Sequence, residues 1–289
     1  MFQVFEIVFP IFAIVLLGYA YARRHGPDMA SANRLNLEIF TPALIFSVLS
    51  GEGFELARYA ELALAALLVV LGSGIVAWPF ARLFGYAPRT FLPPMMFNNS
   101  GNMGLPLALF AFGEAALPAA MILFLVENTL HFTVGNAMLT GHVNPLKLLR
   151  MPMLVATLAG LVVAVLEVRV PGPLHEAIDL LGQIAIPLML FALGVRMTEV
   201  DLADWRIGLA GALLCPLSGL LVAWPAVQLV PLPEMQAAQL IVFAALPPAV
   251  LNFMLAERYA IEPRKVAAVV LLGNLASLVV LPAVLFFVL

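Results

Sequence analysis

Seven of the nine residues from Asn98 to Pro106 are Asn, Ser, Gly or Pro, in a neighbourhood that is otherwise apolar. Asn98, Asn99, Ser100 and Asn102 carry amides and a hydroxyl, groups that pair with freed backbone or with a ligand. Gly101 and Gly104 permit backbone angles that other residues avoid. Pro106 lacks an N–H and obstructs the carbonyl of Asn102, four residues earlier. A second cluster, ALPPAVLNF from Ala245 to Phe253, has Pro247 and Pro248 as breakers and Asn252 as the nearby amide. Where a helix resumes after such a break, its first turn bears roughly +0.5 of a charge and free N–H donors, which suits an anion. The predicted resumption points are near Leu105 and near Pro248. Two such ends meeting can hold a carboxylate without Lys or Arg. The opposing C-terminal ends can instead hold sodium through carbonyls, assisted by Asn98 and Asn99. Close helix packing is the competing role for Asn, Gly and Pro in membrane helices. Seven such residues in nine positions, echoed by a second break, weigh against packing alone.

Glu127 and His131 form a second chemical pair. Four residues apart, they share one helix face, and Glu127 lies about 18 Å into its helix. Ionisable groups at that depth are costly and usually face the interior. They can relay a proton, or form a buried pair that orients the helix with Asn128 or Asn136 as partners. Glu38 and Gln183 stand four residues before Pro42 and Pro187. They can line a cavity, although Glu38, about 10 Å into its helix, can equally reach water. Pro42 and Pro187 read as helix-shaping residues.

These groups must be positioned by membrane helices. Of the 289 residues, 63% are hydrophobic and 11% charged, against about 45–50% and about 25% in soluble domains. Mean hydropathy is +1.05. A net charge of -3 gives no sign of nucleic-acid binding, and one cysteine, Cys215, excludes a disulfide or a cysteine metal cluster. The first apolar run has its positive charges after it and lacks a small-residue cleavage site, so it reads as a retained helix and not a signal peptide. About 20 apolar residues span the hydrocarbon core. Ten segments qualify, near 3–22, 32–50, 60–83, 89–112, 115–139, 148–168, 174–195, 206–229, 234–256 and 265–288.

Cytoplasmic loops carry the excess of Lys and Arg. Alternate connections hold Arg23, Arg24, Arg34, Arg82, Arg89, Lys147, Arg150, Arg196, Arg206, Arg258, Arg264 and Lys265, whereas the opposite side holds Arg58 and Arg169. A split of 12 against 2 exhausts all 14 basic residues, and it leaves both termini on the non-cytoplasmic side. No basic residue falls at mid-membrane.

LEIFTPALIFSVLSG from Leu37 and GQIAIPLMLFALGVR from Gly182 align at an offset of 145, matching Ile39 with Ile184, Pro42 with Pro187, and Phe46 with Phe191. Five spans per half is an odd number, so the second half runs inverted. An inverted repeat with an interrupted helix in each half implies a transporter whose site lies at the breaks. The expected halves are 1–141 and 142–289.

NNSGNMGLPLALFAFGEAAL, followed by FTVGNAML from Phe132, resembles the auxin efflux carrier family, short bacterial type. NRLNLEIFTPALIF and the stretch from LPPAV to Tyr259 are also similar. The resemblance spans essentially the whole chain. It implies an all-α membrane protein of ten helices in two inverted five-helix repeats, with the fourth and ninth crossing. It also implies transport of organic anions, auxin in plants and small carboxylates in bacteria. The long cytoplasmic loop of the plant carriers is absent, since only Thr140 to Lys147 joins the halves. The expected function is therefore a secondary transporter of a small organic anion in the cell inner membrane, by alternating access. A sodium- or proton-coupled symporter or antiporter on the same fold is the alternative. Antiporters of that kind rely on a mid-membrane Asp, whereas Asp28, Asp179, Asp201 and Asp204 all sit near helix ends. No cofactor or metal is expected beyond a coupling proton or sodium, and the partners are the anion and the bilayer; a homodimer is allowed. A catalytic cluster is missing, since the four His residues are scattered.

Overall fold

The computed structural model describes residues 2–51, 54–142, 150–198 and 204–289. Lys147, Asp201 and the end of the Thr140–Lys147 connection lie outside the described residues. Those described form helices joined by short connections, with no strand. In chain order the α-helices are α1 Phe2–His25, α2 Ala30–Leu35, α3 Thr41–Leu49, α4 Ala60–Leu83, α5 Pro88–Met96, α6 Leu105–Phe112, α7 Leu117–Leu130, α8 Asn136–Thr140, α9 Pro152–Val165, α10 Gly172–Gln183, α11 Ala185–Arg196, α12 Trp205–Leu229, α13 Glu234–Ala244, α14 Val250–Arg258 and α15 Pro263–Val288.

Six helical stretches are long and apolar enough to cross a membrane: Val4–His25, Leu56–Leu83, Glu114–Thr140, Gly172–Arg196, Trp205–Leu229 and Pro263–Val288. They match six of the ten expected spans. Their outer faces are oily, with Leu16 and Leu17 on α1, Leu221 and Trp224 on α12, and Val279 and Phe287 on α15 all exposed. Exposed apolar rows of this kind suit a hydrocarbon surrounding and not water. The segment expected near 32–50 is helical from Ala30 to Leu49, and within the described part of the sixth, residues 150–168, the helix is Pro152–Val165. The segments near 89–112 and 234–256 are each divided in two.

Two prolines have a visible local remedy. Asn36–Phe40 and Ser100–Gly104 are both π-helical turns, each followed by one residue and then Pro42 or Pro106. A proline ring crowds the carbonyl four residues before it. The extra residue in a π turn moves that carbonyl aside, so the helix continues through the proline. Helix therefore resumes at Ser100, not near Leu105, and Pro106 lies inside the resumed segment.

The helices pack as two groups. α1 lies along α11, and α3 packs on α9 and α10. The second group centres on α12, which contacts α4, α5, α13 and α15, while α7 packs on α4. Close approach between α1 and α11 needs Gly18 and Gly194. A Cβ on Gly18 would run into the carbonyl of Phe191, and one on Gly194 into that of Val15.

Candidate functional site

After Met96 and after Ala244 the backbone leaves the helix, and the two unwound stretches pair. Asn99 N–H donates to the Pro247 carbonyl at 2.6 Å, and Ala249 N–H donates to the Phe97 carbonyl at 3.0 Å. The two bonds are equivalent under a shift of 150 residues (249 − 99 and 247 − 97), so the pairing has a local two-fold relation. Asn98 and Pro248 face each other between these bonds in an antiparallel bridge. A residue in that position exchanges no backbone bond of its own, so the missing N–H of Pro248 costs nothing there.

Side-chain amides satisfy much of the remaining backbone. Asn98 Nδ2 donates to the Phe243 carbonyl at 2.6 Å, and Asn252 Nδ2 donates to the carbonyls of Phe97 at 2.8 Å and Ala249 at 3.0 Å. Asn99 Nδ2 reaches Asn274 Oδ1 at 3.2 Å. Asn274, on α15, in turn donates to the carbonyls of Pro248 at 3.1 Å and Val270 at 2.7 Å. Unpaired backbone polar groups are expensive in an apolar interior, and these four amides remove that cost where the helices stop.

Glu127 joins this arrangement through Ser100 and not through Asn128 or Asn136. Ser100 Oγ donates to Glu127 Oε2 at 2.5 Å. His131 Nδ1 stands 3.5 Å from Glu127 Oε1, and its ring is stacked on Phe97 with centroids 4.3 Å apart. Asn128 instead approaches the Met153 sulfur.

A cavity of about 280 Å³ gathers Asn98, Asn99, Ser100, Gly101, Asn102, Glu127 and His131, with Glu38 toward its edge. The first residues of both resumed segments, Ser100–Asn102 and Ala249–Leu251, line it together. First-turn N–H groups lack partners within their own helix, so both ends present donors to one space. Asn36 Oδ1, Thr41 Oγ1, Asn98 Oδ1 and Glu127 Oε1, all from its walls, are buried without a hydrogen-bond partner. A second cavity of about 490 Å³ shares Asn33, Leu193, Arg196, Val250 and Met254 with the first.

Gly104, Pro106, Pro247, Pro248 and Asn252 do not line the 280 Å³ cavity; they shape and brace its wall. Gln183 is remote from it, bonded to Asp179 at 2.7 Å, and Asp179 also accepts from Ser47 on α3. Glu38 is exposed and paired with Arg34 at 3.1 Å. Pro42 and Pro187 lie within helices outside the cavity.

Comparison with known proteins matches this chain to a family. The model of the family described as "Membrane transport protein" matches residues 3–144 and again 136–285. The chain belongs to the membrane transport protein family. A relative in Rhizobium meliloti (strain 1021), named "Putative malonate transporter", is 29% identical over 318 aligned positions, covering 100% of this chain and 97% of the relative. The chain is thus a multi-pass membrane transporter and not an enzyme, in agreement with the auxin efflux carrier resemblance.

Two residues of this membrane transport protein were not visible as site residues in its sequence. Asn274 is a lone amide in the most apolar of the six long spans, and its position inside the tenth expected span was the available signal. Arg196 reads as a cytoplasmic-end charge, yet it lines both cavities. The reason is that α11 ends beside α14, where Arg196 reaches the Met254 sulfur.

Proposed function

We propose that the chain carries a small organic anion, a short carboxylate of the malonate kind, across the inner membrane by alternating access. The observation carrying this reading is that the first residues of two resumed helical segments line one cavity. Helix N-termini attract anions through their dipole and free N–H groups. Asn102, half-buried on the cavity wall, supplies a further polar group. Arg196 at the cavity's edge adds a positive charge along the approach. The malonate assignment draws on the name of the Rhizobium meliloti relative.

In this reading the chain crosses the membrane ten times as two inverted halves, 1–141 and 142–289, and the divided segments are its fourth and ninth crossings. The local two-fold pairing of Phe97–Asn99 with Pro247–Ala249 supports that symmetry. The group centred on α12 moves against the group of α1, α3, α9, α10 and α11. Arg196 lines the cavity, and Asn33 and Met151 on its wall adjoin Arg34 and Arg150 in the chain, which supports a conformation facing the cytoplasm.

Counterflow in proteoliposomes with a panel of carboxylates tests the reading. Malonate or a close analogue is expected to exchange, and Asn102→Leu is expected to lower its affinity at least tenfold while the protein still folds. Cation movement with no carboxylate exchange would overturn the assignment.

A further inference from the structure

Glu127 sits where an anion carrier should least tolerate it. It is 3% exposed, and it lines the same cavity as the helix starts at Ser100 and Val250. Its Oε2 already accepts a hydrogen bond from the hydroxyl of Ser100, the first residue of one of those segments. Its Oε1 is buried with no hydrogen-bond partner. A bound carboxylate would therefore compete with Glu127 for the Ser100 donor, and the two like charges would repel each other across one cavity. Two carboxylates sharing one site are accommodated when one of them holds a proton.

We propose that Glu127 takes up one proton each time the anion binds, which makes the carrier an anion–proton symporter. This rests on the anion reading above. The proton comes from water in the cavity and adds to Oε1, converting the carboxylate to the acid. The new O–H has an acceptor in the bound anion or in His131 Nδ1, 3.5 Å away. Proton and anion then leave together on the opposite side, so each turnover moves one of each and regenerates the carboxylate.

Of the other charged or titratable groups lining this cavity, His131 is the one that stands beside Glu127, its Nδ1 3.5 Å from Oε1. His131 shares its helix and is held against Phe97. Glu38, from the π turn before α3, is paired outward with Arg34. Arg196 lies at the end of α11 and contacts Met254. The segments carrying Asn98, Asn99 and Asn102 and those carrying Ala249 to Leu251 present uncharged side chains.

The test is calorimetry of malonate binding to the purified full chain, in two buffers with different heats of protonation and across a pH series. Wild type should take up about one proton per malonate, and its affinity should fall about tenfold per pH unit on the alkaline side. Glu127→Gln should take up none and show a flat pH profile. Equal proton uptake in wild type and Glu127→Gln overturns the proposal, because another group then carries the proton. Binding that needs sodium and ignores pH also overturns it. Malonate binding without proton uptake removes the symport inference and leaves the anion reading standing. No carboxylate binding removes both. If Glu127→Gln does not fold, Ser100→Ala replaces it. Ser100 donates to Glu127 in the unbound carrier, so its removal must alter the pH profile of malonate binding, and an unaltered profile overturns the proposal.

Discussion

At the residue scale, the polar cluster divides into residues that complete the backbone and residues that face the cavity. Asn98 and Asn252 commit their amide donors to carbonyls at the interruption, so part of their role is the packing role known for membrane helices. Asn102 and Ser100 line the open space, as does Asn98, whose Oδ1 is unpartnered. Asn274 connects the two roles, accepting from Asn99 and supporting the Pro248 carbonyl. Asn274→Leu strands both partners, and an unsatisfied buried group costs about 1–3 kcal/mol. Lower thermal stability and slower counterflow are expected for that variant, read by melting in detergent and by initial exchange rates. Wild-type values in both would show that the bonds do not hold the interruption in place. The residue types needed for this network were legible in sequence, but which amide turns inward was not. An Asn has the same identity whether its partner is a carbonyl 145 residues away or a ligand.

At the element scale, the decisive devices are interruptions and close crossings. The π turns at Asn36–Phe40 and Ser100–Gly104 let helices continue through Pro42 and Pro106. Proline marked the irregularity in sequence, but whether a helix would stop or widen depended on the packing around it. Gly219 shows the same dependence. A Cβ there would collide with the backbone of Ala244, the last residue of α13 before the chain unwinds. Gly219→Ala should cost about 1–3 kcal/mol through overpacking and should also reduce transport, because it displaces the end of α13. Melting temperature and counterflow measured on one preparation check this. A stable, fully active Gly219→Ala would show that the α12–α13 contact does not set the interruption.

At the scale of the whole molecule, two helix groups meet around cavities bordered by both. α1 and α11 make one glycine-mediated contact, and α12 anchors the other group against α4 and α15. The proposed ten-crossing arrangement puts both termini outside the cytoplasm. Alkaline phosphatase fused at either end should then be active, and green fluorescent protein at the same positions dark. The reverse pattern would refute the orientation inferred from the basic residues. Cysteine labelling offers a check on the cavity's sidedness, since the native Cys215 is buried. A cysteine at Asn33 should react with impermeant reagents from the cytoplasmic face and be protected by bound anion.

Sequence alone determined that this is a helical membrane protein, which segments are apolar enough to span, and where the regular pattern fails. Those properties follow from local composition, because a hydrocarbon surrounding demands apolar side chains and a paired backbone over every stretch that crosses it. Family membership was legible too, in NNSGNMGLP and its surroundings. Only the tertiary structure brought Asn98 opposite Pro248, Ser100 onto Glu127, Asn274 beneath both interruptions, and Arg196 to the mouth of the cavity. These are long-range pairings made as separate helices pack, and no local pattern specifies which polar group will meet which.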